Sequence, residues 1–515
     1  MEDSNDFDLI VIGSGSGLDV ANAAAHKGLR VALIERDKMG GTCLNRGCIP
    51  SKLLIHSADV MESIRQGKTF GININGKISI DFEKIVSRAN SIVDSESEKI
   101  QETYNSMVNP KVFYTECKFV GSKELQLKGT KSYLNGGKIG KNSNKLNHSS
   151  LNIEDQRITA RKFLIASGSR PRIPKIKGLN ESGFITSDQA LRLKRQPDIL
   201  TIIGGGYICC ELAHFFGSLG TEINIIQLRS KLIPTEDEDI SKRLTNIFAK
   251  KYNLYLGYSA ESVSKESNSG SSNNTIKPDK KLPDNSSPKI YEVIAKDIAS
   301  GNTIKIKSDQ LLVAVGRIPN SDILDLDKTG VEVNERGYIQ TDGYLQTNVS
   351  GIYSLGDVIG RYQFKHSANL EARHAFHNLI QDSDRVPVDY AAMPHAIFTS
   401  PQIAGVGETE QSLREQGKKE NIDYLKSIYP FINTGMGLAI DDNEGFVKFL
   451  VAKESRRILG CHIIGTNASV LIHEVLVAMK ASDPMGNIGT IDTISSTIHV
   501  HPALSEVVAK AASQL

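Results

Sequence analysis

The sequence predicts an α/β fold with two Rossmann-type strand–turn–helix–strand units and a C-terminal α+β domain, and three observations carry that expectation. Phe7 to Ile12 is an apolar, strand-type run ending in Gly13-Ser14-Gly15-Ser16-Gly17, with a helix-forming stretch from Ala21 to Lys27 and a second strand from Arg30 to Ile34. The order returns at Ile199 to Ile203, Gly204-Gly205-Gly206, a helical Tyr207 to Leu219 and a strand from Glu222 to Ile226. From about Ala391 onward, strands and helices alternate without a glycine turn.

A chain of 515 residues with 39% hydrophobic content can bury several cores, and its length suggests about three domains. With 61 basic and 59 acidic residues and no long basic run, it carries no electrostatic footprint for nucleic acid or an anionic membrane. No apolar stretch reaches the length of a membrane helix, and Met1 to Asp6 is acidic and polar, unlike a signal peptide, so the expected address is the cytoplasm. In that reducing compartment six cysteines do not form a stapling framework, and a close pair points to catalysis, redox sensing or metal binding. Cys43/Cys48 and Cys209/Cys210 are the close pairs. Gly129 to Ser150 and Ser262 to Pro288 are crowded with Ser, Asn, Gly and Lys, and read as solvated hairpin insertions between strand-like segments such as Leu151 to Ile153 and Ile290 to Ile294.

In the first unit Gly13, Gly15 and Gly17 permit a tight turn whose backbone can approach a pyrophosphate at the positive end of the following helix. Glu35 ends the second strand roughly 20 residues past the turn, where a carboxylate can accept hydrogen bonds from a ribose diol. The third glycine position of the fingerprint holds Leu18, so the helix is expected to pack differently. In the second unit Gly204 and Gly206 are in place, Cys209 takes the third position, Gln227 stands where the ribose is read, and Arg229 follows. A carboxylate there would favour NAD and repel a 2′-phosphate; a glutamine beside an arginine decides neither way. Cys209 and Cys210 are adjacent, so a disulfide between them would be strained, and they read as small packing residues.

Gly40-Gly41-Thr42-Cys43-Leu44-Asn45-Arg46-Gly47-Cys48-Ile49-Pro50-Ser51-Lys52 follows close behind Glu35. On one regular helix the two cysteines would point about 140° apart, too distant for the roughly 4.4–6.8 Å Cα separation of a disulfide. The stretch before Cys48 is therefore expected to be a loop or distorted turn, freed by Gly47, with Pro50 in a first helical turn and Cys48 at a helix N-terminus that favours its thiolate. A metal site would need further ligands nearby, and His56 is the single candidate, so no metal is expected.

On this Gly-Gly-Thr-Cys-(four residues)-Cys motif the chain resembles the pyridine nucleotide-disulfide oxidoreductases, over nearly its whole length apart from the two polar insertions. The resemblance implies an FAD-binding domain (1–190), an NAD(P)-binding domain (191–315), a return to the FAD domain (316–388) and a dimerisation domain (389–515). It makes Cys43 the interchange thiol and Cys48 the thiol facing the flavin, and pairs Lys52 with Glu211 beside the flavin. FAD would be held by Gly13, Gly15, Gly17, Glu35, Gly41, Thr42 and Lys52, by Ser167 and Gly168 in the Ala166-Ser167-Gly168 crossover, and by Gly356-Asp357, which Thr347 precedes. NAD(P) would be held by Gly204, Gly206, Tyr207, Gln227, Arg229 and Gly316 of the crossover Ala314 to Arg317. In His499-Val500-His501-Pro502-Ala503-Leu504-Ser505-Glu506, the resemblance makes His501 the acid/base and Glu506 its partner, while His499 does not align. Because that histidine serves the other subunit's active site, a homodimer with a shared site is implied.

Within the family, Cys-Leu-Asn-Arg-Gly-Cys-Ile-Pro-Ser-Lys and His-Pro-Ala-Leu-Ser-Glu look most like the dihydrolipoamide dehydrogenases. That implies oxidation of a small-molecule or lipoyl-domain dithiol, with NAD favoured over NADP and membership of a 2-oxoacid dehydrogenase complex left open. Tyr207, where glutathione-type reductases have a flavin-shielding tyrosine, and Gln227, in place of an NAD-selecting glutamate, keep a second reading: an NADPH-dependent reductase of a mycothione- or glutathione-type disulfide. A mercuric reductase fits less well, because the chain ends Ala-Ser-Gln-Leu without that branch's extra cysteine pair.

Overall fold

The computed structural model describes residues 5–129, 156–266, 290–381, 384–483 and 485–515. The chain divides into two compact units. Unit 1 comprises Met1–Pro50, Arg88–Arg172 and Arg317–Asp389; unit 2 comprises Ser51–Ser87, Ile173–Gly316 and Tyr390–Leu515.

Unit 1 is built on a sheet in which Lys111–Tyr114, Val31–Glu35, Phe7–Ile12 and Gln156–Ile165 lie side by side in parallel, with Ile352–Ser354 parallel to the last. Phe7–Ile12 reads as a continuous apolar run because both of its faces are covered. Leu9 and Val11 pack with Val20, Ala21 and Ala24 of the helix Gly17–His26, while Ile10 and Ile12 pack with Phe119, Leu125 and Phe163 on the other side. Cys117–Gly121 and Glu124–Leu127 extend the sheet as an antiparallel hairpin against Gln156–Ile165. Residues 130–155, including the expected strand Leu151 to Ile153, lie outside the described residues.

In unit 2, Asn253–Leu256, Glu222–Gln227, Ile199–Ile203 and Gln310–Val313 form a parallel sheet in that order. Tyr258–Glu266 and Ile290–Asp297 pair antiparallel, so Ser262 to Glu266, expected in the solvated insertion Ser262 to Pro288, is strand; residues 267–289 lie outside the described residues. The C-terminal part is an antiparallel sheet of Pro394–Ile397, Gln402–Gly407, Ile458–Gly465, Phe446–Ala452 and Tyr424–Pro430. Its core buries Phe431, Val447, Phe449 and Ile463 together with Ile472, Val475, Val507 and Val508 of the helices Ala468–Lys480 and Glu506–Ala512. The architecture is the mixed α/β one expected, with two glycine-turn units and an α+β C-terminal domain.

Residues 51–87 fall in unit 2 through contacts of their own. Phe82 lies 5.9 and 6.0 Å, centroid to centroid, from Phe215 and Phe216. Asp59 meets the buried imidazole of His214 at 2.8 Å. Among the described residues no helix is long and apolar enough to cross a membrane.

Candidate active site

The first glycine turn is shaped by close backbone approach. Gly13 has φ +104°, and a Cβ there would stand 2.3 Å from the carbonyl oxygen of Ala166, so the Ala166-Ser167-Gly168 crossover is drawn against the turn. A Cβ on Gly15 would meet nothing within 4 Å, which leaves the turn's outer face open. The helix begins at Gly17, earlier than the expected Ala21. A Cβ on Gly17 would lie 2.9 Å from Val11 Cγ1 and 3.0 Å from Ala166 Cβ. Gly17 thus supplies the close helix–strand packing that the fingerprint assigns to its third glycine, and Leu18 does not disturb it.

Glu35 is fixed at the turn: its Oε2 accepts from Ser14 N at 2.9 Å and Ser14 Oγ at 2.7 Å, and its Oε1 accepts from Asp37 N at 2.9 Å. Ser14 Oγ in turn accepts from Gly40 N at 3.1 Å, and a Cβ on Gly41 would sit 2.6 Å from Gly15 Cα. The Gly40-Gly41 bend is therefore stacked on the glycine turn, which sets Thr42 and Cys43 beside it. Asp357 accepts from Ser169 Oγ at 2.6 Å, Asn320 Nδ2 donates to Ser167 O at 2.8 Å, and the Gly356 amide donates to Glu371 at 2.6 Å. Ser167 Oγ is buried with no hydrogen-bond partner among the described residues. An open glycine turn, a carboxylate at the ribose position and an orphaned buried hydroxyl fit a bound dinucleotide.

The cysteines depart from the expected loop. Gly41–Arg46 is a short helix carrying Cys43; Gly47 breaks it with φ −138° and ψ −115°, and Cys48 opens the helix Cys48–Gln66. A Cβ on Gly47 would come to 3.0 Å from Thr42 O, so the break needs a glycine. Asn45 holds the first helix by donating to Met39 O at 2.9 Å and Gly41 O at 3.0 Å. Cys43 is half-buried and Cys48 exposed. Their mutual hydrogen bond, and then burial, push the Cys43 thiol well above its ordinary range. Lys365 pulls the other way. Its ammonium donates to Ser16 Oγ at 2.9 Å, and no sequence signal marked it, because a return segment far along the chain delivers it to the first turn.

Unit 2 repeats the glycine device. Gly204 has φ +118°, and its Cβ would stand 2.2 Å from Ala314 O; the position of a Cβ on Gly206 is open. Tyr207 is the first residue of the helix Tyr207–Ser218, in which Cys209 and Cys210 are fully buried. Gln227 is buried and turned onto the glycines, 2.7 Å from where a Gly205 Cβ would be, whereas Arg229 is exposed. Gly316 has φ +108° with open space at its Cβ position.

Lys52 Nζ meets Glu211 Oε1 at 2.9 Å and Oε2 at 2.8 Å and stands 4.5 Å from the centroid of Phe398, whose amide also donates to Glu211 at 3.0 Å. His501 Nδ1 and Glu506 Oε1 are 2.9 Å apart, and Glu506 Oε2 accepts from Ala503 N at 3.2 Å. The His501 side chain is 75% exposed, which leaves its other ring nitrogen available. His499 is engaged by Glu474. Among the described residues no group of three or more His, Cys, Asp or Glu is arranged to hold a metal ion.

Comparison with known proteins agrees with this geometry. Residues 7–372 match the family model "Pyridine nucleotide-disulphide oxidoreductase", and residues 393–512 match that family's dimerisation domain. The dihydrolipoyl dehydrogenase of Chlamydia muridarum is 34% identical over 513 residues, covering 98% of this chain and 96% of that protein. The mycothione reductase of Mycobacterium tuberculosis is 31% identical over 509 residues, covering 98% of each. The HOCl-induced flavoprotein disulfide reductase RclA of Escherichia coli, solved as a Cu(II) complex, superposes with a TM-score of 0.78 at 25% identity, covering 99% of this chain and 100% of that one. The family uses FAD and a pyridine nucleotide. The chain belongs to the pyridine nucleotide-disulphide oxidoreductase family and is a flavoprotein disulfide oxidoreductase.

Proposed function

We propose that the chain is a dihydrolipoyl dehydrogenase, oxidising dihydrolipoamide with NAD+ as a cytoplasmic homodimer. The observation that carries the disulfide chemistry is the hydrogen-bonded Cys43/Cys48 pair, set across the Gly47 break and beside the glycine turn. The substrate assignment is supported by relatives of that name at 30–34% identity from several organisms, together with the Cys-Leu-Asn-Arg-Gly-Cys-Ile-Pro-Ser-Lys motif.

In the forward direction the enzyme starts with a Cys43–Cys48 disulfide. His501 of a second copy takes the proton from one substrate thiol, and the resulting thiolate attacks Cys43 Sγ. The Cys43–Cys48 bond breaks, Cys48 leaves as a thiolate, and substrate and Cys43 are joined as a mixed disulfide. His501 passes its first proton to water and then takes the proton of the second substrate thiol, whose sulfur attacks the substrate sulfur of that bond and releases the cyclic disulfide and the Cys43 thiolate. Cys43 then takes up a proton, as its raised affinity for one requires. Glu506 holds the imidazole in one orientation throughout. FAD would be held by Gly13, Gly15, Glu35 and Asp357 and would supply a two-electron carrier between the thiol pair and a pyridine nucleotide, which Gly204 and Gly206 would hold. Lys52 and Glu211 position each other for that site. The four segments 1–190, 191–315, 316–388 and 389–515 are the domain division that goes with this reading.

A second reading, an NADPH-dependent reductase of a mycothione-type disulfide, is favoured by the buried amide of Gln227, the exposed Arg229 and the mycothione reductase relative. Initial rates with NAD+ and NADP+ against dihydrolipoamide, and with NADH and NADPH against oxidised low-molecular-weight disulfides, separate the two. The first reading requires dihydrolipoamide with NAD+ to be the fastest pair. A preference for NADPH and a mycothione-type disulfide that reverses in Arg229→Glu overturns it.

A further inference from the structure

Tyr207, the residue that opens the helix after the second glycine turn, is held by an acid–imidazole pair drawn from two distant parts of unit 2. Its hydroxyl donates to Glu236 Oε1, while His395 Nε2 lies 2.7 Å from Glu236 Oε2. The imidazole of His395 also stacks on the Tyr207 ring, with centroids 6.3 Å apart and planes 11° from parallel. Glu236 is only 2% exposed, so both of its oxygens are committed to these two rings.

The segment that carries Glu236 is bonded to the glycine turn itself. Ile233 N donates to Gly205 O at 2.7 Å, and Ile233, a buried β-branched residue, adopts φ +43° to do so. A side chain of that type in the left-handed region is strained, and such strain concentrates at functional sites. Gln411 Nε2 secures the segment by donating to Glu236 O at 2.7 Å. On the far side, Gly405 makes room for the imidazoles: a Cβ there would stand 2.7 Å from His395 Cε1 and 3.1 Å from His462 Nδ1. A phenylalanine at position 207 would leave Glu236 Oε1 buried and unpaired, so the cluster is organised around the tyrosine hydroxyl.

We propose that Glu236 and His395 are positioning residues that fix Tyr207 as a preformed wall of the pyridine-nucleotide site, so that the nucleotide binds against a stationary ring and displaces no cover. The ring is constrained at its edge by the hydrogen bond and on its face by the stack. A side chain ordered before binding spares the complex the entropy of ordering it afterwards. The inference rests on the reading of Gly204-Gly205-Gly206 as the pyridine-nucleotide turn.

The test is a steady-state comparison of FAD-loaded wild type with Tyr207→Phe, Glu236→Ala, Glu236→Gln, His395→Gln and the Tyr207→Phe/Glu236→Ala double variant. KM is measured separately for nucleotide and dithiol. Tyr207→Phe, Glu236→Ala and His395→Gln are expected to raise the nucleotide KM about 3- to 10-fold, the size expected from freeing one ordered side chain, with dithiol KM unmoved. The double variant should match the larger single effect, and Glu236→Gln, whose amide oxygen still accepts from Tyr207, should return the KM to within about twofold of wild type. If Glu236→Ala does not fold, His395→Gln carries the same comparison, because its side chain is partly exposed at 20%. An unchanged or falling nucleotide KM, both KM values rising together, or additive single effects would overturn the proposal. Wild type that saturates with neither NAD(H) nor NADP(H) would remove the reading of the turn and the inference with it; saturation with unresponsive variants removes the inference alone.

Discussion

Glu506 accepts a hydrogen bond from His501 at 2.9 Å while its second oxygen takes the Ala503 amide, so one carboxylate both orients the imidazole and caps the chain beside it. The His501 bond first, and the Ala503 amide second, hold the Glu506 carboxyl below its usual range. A depressed carboxylate contributes stability above the unfolded pKa of about 4.3 and loses it as pH falls through the lower folded value. Glu506→Gln should therefore lower the melting temperature at pH 7 and match wild type in strong acid. His501→Gln, which removes the acid/base, should cost on the order of 100- to 10,000-fold in kcat with the fold intact. A His501→Gln enzyme that keeps its kcat would end the assignment.

Burial separates the cysteines into two classes. Cys43 and Cys48 are solvent-accessible, whereas Cys117, Cys209, Cys210 and Cys461 are buried, and burial pushes the Cys117 thiol up to about 12. The reduced native protein should thus show two thiols accessible to an aromatic disulfide reagent and six after denaturation. Cys48→Ser should remove one accessible thiol and abolish dithiol turnover while melting close to wild type. A third accessible thiol in the native state would contradict the packing of the nucleotide helix or the C-terminal sheet.

Gly204 and Gly206 of the second glycine turn should fail differently. Gly204 is a backbone requirement, with φ +118° and a carbonyl 2.2 Å from any Cβ, so Gly204→Ala should destabilise the protein by at least about 1–3 kcal/mol from strain alone. Gly206 has φ −88° and open space, so an alanine fits the chain but projects where a pyrophosphate would approach. Gly206→Ala should raise the nucleotide KM without lowering the denaturation midpoint. If both variants lose stability equally, the open space at Gly206 is not a ligand surface.

These contrasts also show what the sequence could and could not reveal. Both glycine turns, Glu35 and the crossovers at Ala166 and Ala314 are legible because each answers a local backbone or hydrogen-bonding need that has a residue signature. The helix around Cys43 is not: the spacing argument excludes one continuous helix through both cysteines, and two helices broken at Gly47 satisfy it as well as a loop does. The task of Gly17 was hidden because the fingerprint looks one position further on. Lys365, Glu236 and His395 carry no motif; later chain brings Lys365 to Ser16, and Glu236 and His395 to Tyr207. The insertions beyond 129 and 266 lie outside the described residues, so their reading as solvated hairpins stands as an expectation.

The parallel-sheet and C-terminal parts of unit 2 are joined by a buried ion cluster whose pH limits can be read from its signs. Lys448, with no exposed side-chain surface, places Nζ 2.8 Å from Asp237, 2.6 Å from Asp239 and 2.6 Å from Glu410. Burial is the largest influence on Asp237 and Glu410 and opposes their charge. His462 and Lys448 at Asp237, and Lys448 and Lys426 at Glu410, nevertheless hold both carboxyls below their usual range. Burial likewise opposes the charge of Lys448, and the surrounding carboxylates overcome it and raise its pKa. Stability from the depressed carboxylates is present above about pH 4 and fades as pH falls through their lower folded values. Stability from Lys448 is present below about pH 10.4 and fades as pH rises through its raised one. Lys448→Met removes the shared cation and leaves the buried Asp237 without its ion-pair partner, a change that costs on the order of 3–5 kcal/mol. Denaturant unfolding at pH 7 should show that loss, and the gap between wild type and variant should narrow toward both pH extremes. A variant as stable as wild type at pH 7 would mean that the cluster sets geometry and contributes no net stability.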